Sequence, residues 1–199
     1  RLGWSGLEFA AGIPGTIGGA VYMNAGANGS STADVLESVE VVEAGSAEVR
    51  TLDASALEFG YRRSVFRAAS PPGAASLVVT AATFRLRRSA GAAAVAEGYV
   101  ERRKGTQPWG ERSAGCVFRN PPSGPPAGAL IDAAGLRGTS LGGARVSDVH
   151  ANFVVNAGGS DTRAEDILRL IERVRSEIRE QTGVELVEEI LRVPYAPEQ

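Results

Sequence analysis

Between Thr106 and Pro126 the chain carries Pro108, Gly110, Gly115, Pro121, Pro122, Gly124, Pro125 and Pro126. Proline fixes φ and lacks a backbone donor, so neither a helix nor a central strand can run through such a segment. Its longest stretch free of both residue types is "CVFRN", Cys116 to Asn120. The segment reads as loop around a short core, and as the boundary between two subdomains. With 199 residues, 43% of them hydrophobic, the chain can bury a real core as one large domain or as two small ones.

On either side of the boundary the patterns are regular. A helix is expected after Pro14-Gly15. "VLESVEVVEA" and "AEVRTLD" alternate apolar and polar residues about Ala44-Gly45-Ser46 and predict a hairpin. "ASALEFGYRRSVF" predicts a short helical turn and an exposed loop at Tyr61 to Ser64, and "SLVVTAATFRLRR" a long strand ending in charge. "AAAVAEGYVERRKG" predicts a helix closed by Gly105. Beyond the boundary, "AGALIDAAG" reads as a short helix and "ANFVVN" as a strand. "TRAEDILRLIERVRSEIREQTG" reads as a long helix with Ile167, Ile171, Val174 and Ile178 on one face, capped by Gly183. "VELVEEILRV" closes the chain as a strand. The element order is mixed rather than strictly alternating, which predicts an α+β fold.

Charge and cysteine usage exclude several classes. With 21 basic and 23 acidic residues and a formal charge of −2, the chain has no positive excess to hold nucleic acid or an anionic membrane. The longest apolar run, about Ser76 to Phe84, is too short to span a bilayer. Cys116 is the only cysteine, so no intrachain disulfide forms, which suits a reducing cytosol. One histidine and one cysteine make a zinc site a poor expectation, and no metal is predicted. Arg1-Leu-Gly-Trp leads straight into patterned sequence, as in a piece of a longer protein.

The richest chemical signal is "GIPGTIGGAVYMNAGANG", Gly12 to Gly29. Main-chain N–H groups at the start of a helix after Pro14-Gly15 suit a phosphate, and small residues let a flat ligand approach the backbone. A tight helix-packing turn explains the same glycines. "GTSLG", Gly138 to Gly142, matches a nucleophile elbow, with Asp148 and His150 following in hydrolase order. Its context is wrong: a helix precedes Ser140 and an extended segment follows it. Cys116 reads as a small buried hydrophobe or as a thiol in proton transfer. Arg62 reads as a surface charge or as a bidentate carboxylate anchor. Glu188 and Glu189 place one carboxylate on each face of the closing strand. Each is either a desolvated acid suited to giving a proton or the partner of an arginine.

Six stretches in order, "GLEFAAGIPGTIGGAVYMNAGANG", "FGYRRSVF", "SAGCVFRNP", "AGALIDAAGLRG", "VSDVHANFVVN" and "GVELVEEILRV", resemble the UDP-N-acetylenolpyruvoylglucosamine reductases of bacterial cell-wall synthesis. The resemblance runs from about Gly3 to Val193. It implies part of a two-lobed FAD-binding fold followed by a separate substrate-binding domain. On that pattern residues 1–105 would be the second FAD lobe, 106–185 the substrate-binding domain, and 186–199 a C-terminal strand carrying a catalytic glutamate. The family's first third is missing, so this chain is expected to hold FAD weakly or not at all.

The reaction implied is NADPH-driven, FAD-mediated reduction of UDP-N-acetylglucosamine enolpyruvate to UDP-N-acetylmuramate, by a cytoplasmic monomer. By resemblance, Ile13, Pro14, Gly15, Thr16, Gly18, Gly19, Asn24 and Gly26 lie along the FAD. Arg62, matching a Tyr-Arg-x-Ser motif, holds and polarises the substrate carboxylate. Glu189 assists that stabilisation. Cys116 stands where many members carry a serine proton donor, and Tyr61, Gln107, Asn120 and His150 fall near the substrate. The short connection from Tyr61 to Cys116 matches the subgroup without a tyrosine lid.

Overall fold

The computed structural model describes residues 3–68 and 77–193. The chain divides into two compact units, Arg1–Arg102 with Arg192–Gln199, and Arg103–Leu191. In the first, β1 (Trp4–Ser5) and α1 (Ile17–Met23) precede a small hairpin of β2 (Gly26–Ala27) and β3 (Ser30–Ser31). Then come β4 (Leu36–Glu43), β5 (Val49–Asp53), the short α2 (Val65–Ala68), β6 (Leu77–Phe84) and β7 (Arg87–Arg88). The helix α3 (Ala92–Thr106) follows and contains the division.

The strand β4 lies between β5 and β6, antiparallel to both, with Val39 opposite Leu52 on one side and Ala82 on the other. Its register against β6 shifts between Leu36 and Ser38. A bulge of this kind adds one residue to the period of two, so Leu36, Val39 and Val41 all reach the core although the first two are an odd number apart. They meet Val21 of α1, Leu57 and Phe66. Full burial of each such side chain contributes about 1.5–3 kcal/mol.

The second unit contains β8 (Ser113–Cys116), α4 (Ala127–Ala133), β9 (Ser140–Leu141), β10 (Ala144–Val146), β11 (Phe153–Asn156) and α5 (Ala164–Thr182). Its four strands are antiparallel in the order β8-β11-β10-β9. Helix α5 buries Leu170, Ile171, Val174 and Ile178 against Leu130 and Ile131 of α4 and against Val146, with Ile167 packed at the edge. Its start is fixed by Asp166, whose Oδ2 accepts from the Arg163 and Gly143 amides at 3.1 and 3.2 Å. It stops at Gly183, left-handed at φ 72°.

The expected α+β class stands, since every strand pairing among the described residues is antiparallel. Four local expectations are corrected. Helix α3 runs through Gly105, because the Gln107 amide still reaches the Arg103 carbonyl at 2.9 Å. The Pro/Gly segment is not loop up to its "CVFRN" core: "SAGC" forms a strand that ends at Cys116. Ser64 is buried rather than looped out. The closing segment is not a strand: it makes one bridge, Phe118 to Glu188, with Arg119 N–H on the Val187 carbonyl and Glu189 N–H on the Val117 carbonyl. Two residues past Arg119 stands Pro121, which has no N–H to carry the ladder onward. Ser76, expected to begin a strand, and residues 194–199 lie outside the described residues. Among the described residues no helix is long and apolar enough to cross a membrane, and no cluster of residues could hold a metal ion.

Candidate functional site

In the first unit the glycine-rich stretch serves two purposes. A Cβ on Gly18 would stand 3.3 Å from the Val79 carbonyl, and one on Gly26 would stand 2.9 Å from the Ser30 carbonyl. These two glycines allow α1 to lie on β6 and the β2–β3 hairpin to close. Gly15 differs. It sits at φ +130° with nothing within 4 Å of its Cβ direction, in the exposed run Pro14, Gly15, Thr16, Ile17. Thr16 caps α1, its hydroxyl accepting the Gly19 amide at 3.1 Å. Ile13 is half-buried just before the run, its amide on the Ala10 carbonyl at 3.0 Å.

Asn24, left-handed at the end of α1, is 7% exposed. Its Nδ2 donates to the Gly60 carbonyl at 3.0 Å and its Oδ1 accepts the Ala33 amide at 3.0 Å. The side chain is therefore part of the frame. It anchors the turn Gly60 to Arg63, closed by reciprocal 3.1 Å bonds between those two residues. Tyr61, exposed, and Arg62 form the tip. Arg62 sits at φ 54°, a region that L side chains other than asparagine and aspartate rarely adopt. From there its Nη2 donates to the Gly26 carbonyl at 3.2 Å, and its guanidinium lies 5.1 Å from the Tyr61 ring centroid. Ser64, fully buried, donates to the Tyr22 carbonyl at 2.6 Å. The serine of the Tyr-Arg-x-Ser motif is thus a tether for the turn that presents the arginine.

In the second unit, Cys116 ends β8 opposite Phe153 of β11. Asn152, 3% exposed, grips the next residues from one side. Its carbonyl accepts the Val117 amide at 2.8 Å, its Oδ1 accepts the Phe118 amide at 2.9 Å, and its Nδ2 donates to the Phe118 carbonyl at 2.8 Å. From the other side the closing segment brings Glu189, whose amide donates to the Val117 carbonyl at 2.7 Å. Cys116 and Glu189, distant in sequence, are thereby held on paired segments. Glu188 turns the other way and forms an ion pair with Arg175 of α5 at 3.3 Å. Of the two readings offered for the paired glutamates, the arginine partner holds for Glu188.

The remaining expected residues lie around this segment or support it. His150 accepts the Asn152 amide on Nδ1 at 3.2 Å and meets the Phe153 ring edge-on at 4.8 Å between centroids. Burial holds its pKa below the ordinary value, favouring the neutral ring. Asn120 starts α4 by accepting the Ala127 amide on Oδ1 at 3.1 Å. Gln107 accepts from Arg103 on Oε1 at 3.1 Å. Ser140 is no nucleophile elbow: its hydroxyl donates to the Gly138 carbonyl, and a turn into β10 follows in place of a helix. Nothing in the sequence singled out Asn152 or Arg103. Asn152 is an ordinary polar residue inside an apolar strand pattern, and Arg103 one of three adjacent cations.

Comparison with known proteins adds the family. Residues 107–193 match the model of the UDP-N-acetylenolpyruvoylglucosamine reductase C-terminal domain, and residues 1–53 match an FAD binding domain. The UDP-N-acetylenolpyruvoylglucosamine reductase of Protochlamydia amoebophila is 48% identical over 98% of this chain and 62% of its own length. The same enzyme of Chlamydia felis is 45% identical over 97% and 62%. The crystal structure of the Thermus caldophilus reductase aligns at a TM-score of 0.80 with 40% identity, covering 96% of this chain and 65% of that one. The chain belongs to the UDP-N-acetylenolpyruvoylglucosamine reductase family. It spans about three fifths of the length of the reductases it matches, 62% of the Protochlamydia relative. Within the reductase C-terminal match fall Gln107, Cys116, Asn120, His150 and Glu189, while the exposed run at Gly15 and the Asn24 anchor fall within the FAD-domain match. Arg62 lies in neither matched stretch.

Proposed function

We propose that this chain takes part in reducing UDP-N-acetylglucosamine enolpyruvate to UDP-N-acetylmuramate, with NADPH as electron source and FAD as carrier. The observation that carries this reading is the pairing of the Cys116 and Glu189 segments inside the region matched to the reductase C-terminal domain. Residues 1–105 are read as the FAD-binding part, 106–185 as the substrate-binding part, and 186–199 as the closing segment that brings Glu189.

The exposed run at Pro14 to Ile17 fits an FAD. The Cβ side of Gly15 is open, so a flat or anionic group can lie against the main chain there. Bound FAD supplies the hydride. The rest falls to this chain's residues. Arg62 offers a planar guanidinium, suited to holding the substrate carboxylate through two parallel bonds. Glu189 assists that stabilisation as negative charge grows on the carboxylate-bearing fragment. Cys116 gives its Sγ proton to the carbon beside that carboxylate, completing the saturated ether. His150, neutral, presents Nε2–H as a donor, and Gln107, Asn120 and Tyr61 complete the substrate contacts. The working unit is read as a cytoplasmic monomer that binds no nucleic acid.

The test uses the intact protein, reduced anaerobically with NADPH until the flavin band bleaches and then given the enolpyruvyl UDP-sugar. Return of colour with formation of UDP-N-acetylmuramate is expected. Bleaching without return would strike out the substrate, and no flavin would strike out the carrier. C116A is expected to bleach normally and fail to turn over, whereas C116S retains much of the activity.

A further inference from the structure

The turn from Ser147 to His150 is held from two sides by side chains. On one side the buried Ser147 hydroxyl accepts the amides of Val149 and His150 at 3.1 and 3.4 Å. On the other, Nη1 of Arg137 donates to the carbonyls of Asp148 and Val149 at 2.7 and 3.0 Å. Arg137 is itself fixed, because its Nε and Nη2 donate to the two carboxylate oxygens of Asp132 near the end of α4. A planar guanidinium forked on a carboxylate has its remaining nitrogen aimed in one direction. Here that direction is the pair of carbonyls that leads into His150.

The ring at the end of this turn has a fitted seat. A Cβ on Gly128 of α4 would stand 3.2 Å from His150 Cε1 and 3.5 Å from Asn152 Cβ, so glycine lets the helix lie this close. The His150 carbonyl accepts the Phe153 amide at 3.0 Å, which fixes the main chain on the far side. With Nδ1 accepting the Asn152 amide, the neutral ring carries its proton on Nε2.

The charged residues of the surrounding elements follow from the sequence. Helix α4 carries Asp132 and the loop after it Arg137; β10 carries Arg145, the turn itself Asp148, and β11 none. Asp132 is occupied by Arg137, and Asp148 lies 3.8 Å from Arg145. Cys116 of β8 is the titratable group across from Phe153. Burial lowers the His150 pKa, and the charge of Arg137 acts in the same direction.

We infer that Arg137, forked on Asp132, is a positioning residue for His150: it clamps the two peptide groups before the ring and so keeps a single tautomer with Nε2–H as donor. The inference rests on the reading of His150 as a substrate contact. A donor aimed in advance loses little freedom when substrate arrives, whereas a mobile turn would have to be ordered at that moment. Both members of the fork are exposed, so their loss leaves the core of the unit in place.

The test is nitrogen NMR of the intact protein labelled with 15N-histidine, with R137Q and D132N beside the parent and H150A to identify the His150 signals. The parent should show Nδ1 unprotonated and Nε2 protonated above the ring's pKa. In R137Q the two nitrogens should move toward each other as tautomers mix, and the ring should titrate at higher pH than in the parent. D132N, which weakens one side of the fork, should move both in the same direction by less. R137Q should also raise KM for the enolpyruvyl UDP-sugar roughly three- to tenfold with kcat little changed, as expected for a misplaced hydrogen-bond donor. Superimposed His150 signals and titrations in R137Q and the parent would overturn the inference. A raised KM with those signals unmoved would overturn it as well, since Arg137 would then act on the substrate directly. The NMR readout needs neither flavin nor substrate, so it stands apart from the reading of His150: an unchanged KM in H150A strikes out the substrate contact, whereas unmoved ring signals in R137Q strike out the clamp.

Discussion

Arg62 occupies a backbone position that glycine would hold without strain, and that invites a comparison of two truncations. R62A and R62G lose the same side-chain contacts, the bond to Gly26 and the approach to Tyr61. What differs is the main chain at φ 54°. A left-handed alanine costs roughly 1–2 kcal/mol, and glycine gives back roughly 0.5–1 kcal/mol through the added freedom of its unfolded chain. R62G should therefore be the more stable of the two by about 0.5–1 kcal/mol, the reverse of the usual order. With an m-value of about 2 kcal/mol/M in urea, its unfolding midpoint should lie about 0.3–0.5 M above that of R62A. Both variants should lose turnover alike. An R62A protein as stable as R62G, or more so, would refute the claim that this turn holds its arginine against a backbone preference.

Glu188 and Glu189 should separate by turnover: E188Q breaks the ion pair with Arg175, partly screened by water, and should cost about 0.5–1 kcal/mol of stability with turnover kept, while E189Q should lose turnover. Equal loss of turnover in both would undo the assignment. N152L leaves the Phe118 amide and carbonyl without their buried side-chain partners and should cost about 2–4 kcal/mol by urea unfolding; a loss under 1 kcal/mol would show that the Cys116 segment is held by other means. His150 has a folded pKa below its ordinary 6.5, so the unfolded chain takes up the proton first as pH falls. Stability should decline on acidification from about pH 7, through the region just below 6.5, and H150Q should flatten that decline in denaturation curves taken at each pH.

Much of the fold was legible because it follows from residue patterns. The stripe of Ile171, Val174 and Ile178 and the Gly183 cap defined α5, and alternation about Gly45 defined the β4–β5 hairpin. What could not be read depended on partners remote in sequence. The closing segment has the alternation of a strand, yet Pro121 across from it cannot donate, and propensity carries no knowledge of the opposite chain. The glycine-rich stretch looked uniform, although Gly18 and Gly26 are fixed by packing while Gly15 and Gly29 stand open. Cys116, Arg62 and Glu189 were reached through resemblance, since each has an equally ordinary reading as a core thiol, a surface cation or a strand carboxylate. Arg103 gave no signal among Arg102 and Lys104 because its distinction, a buried Nε and a bond to Gln107, exists only in three dimensions.

The buried amide of Asn24 joins the end of α1, through Ala33 on one side and Gly60 on the other, to the turn that carries Arg62. A substitution that loosens the helix beneath the proposed cofactor loop thus reaches the arginine proposed to hold the substrate, through Asn24 together with the Ser64 tether to Tyr22. Selection acting on grip for the flavin and selection acting on grip for the enolpyruvyl carboxylate are then not independent. On the proposed roles, sequence drift in either place must keep this shared frame, and a variant that breaks it is expected to weaken both grips together rather than trade one against the other.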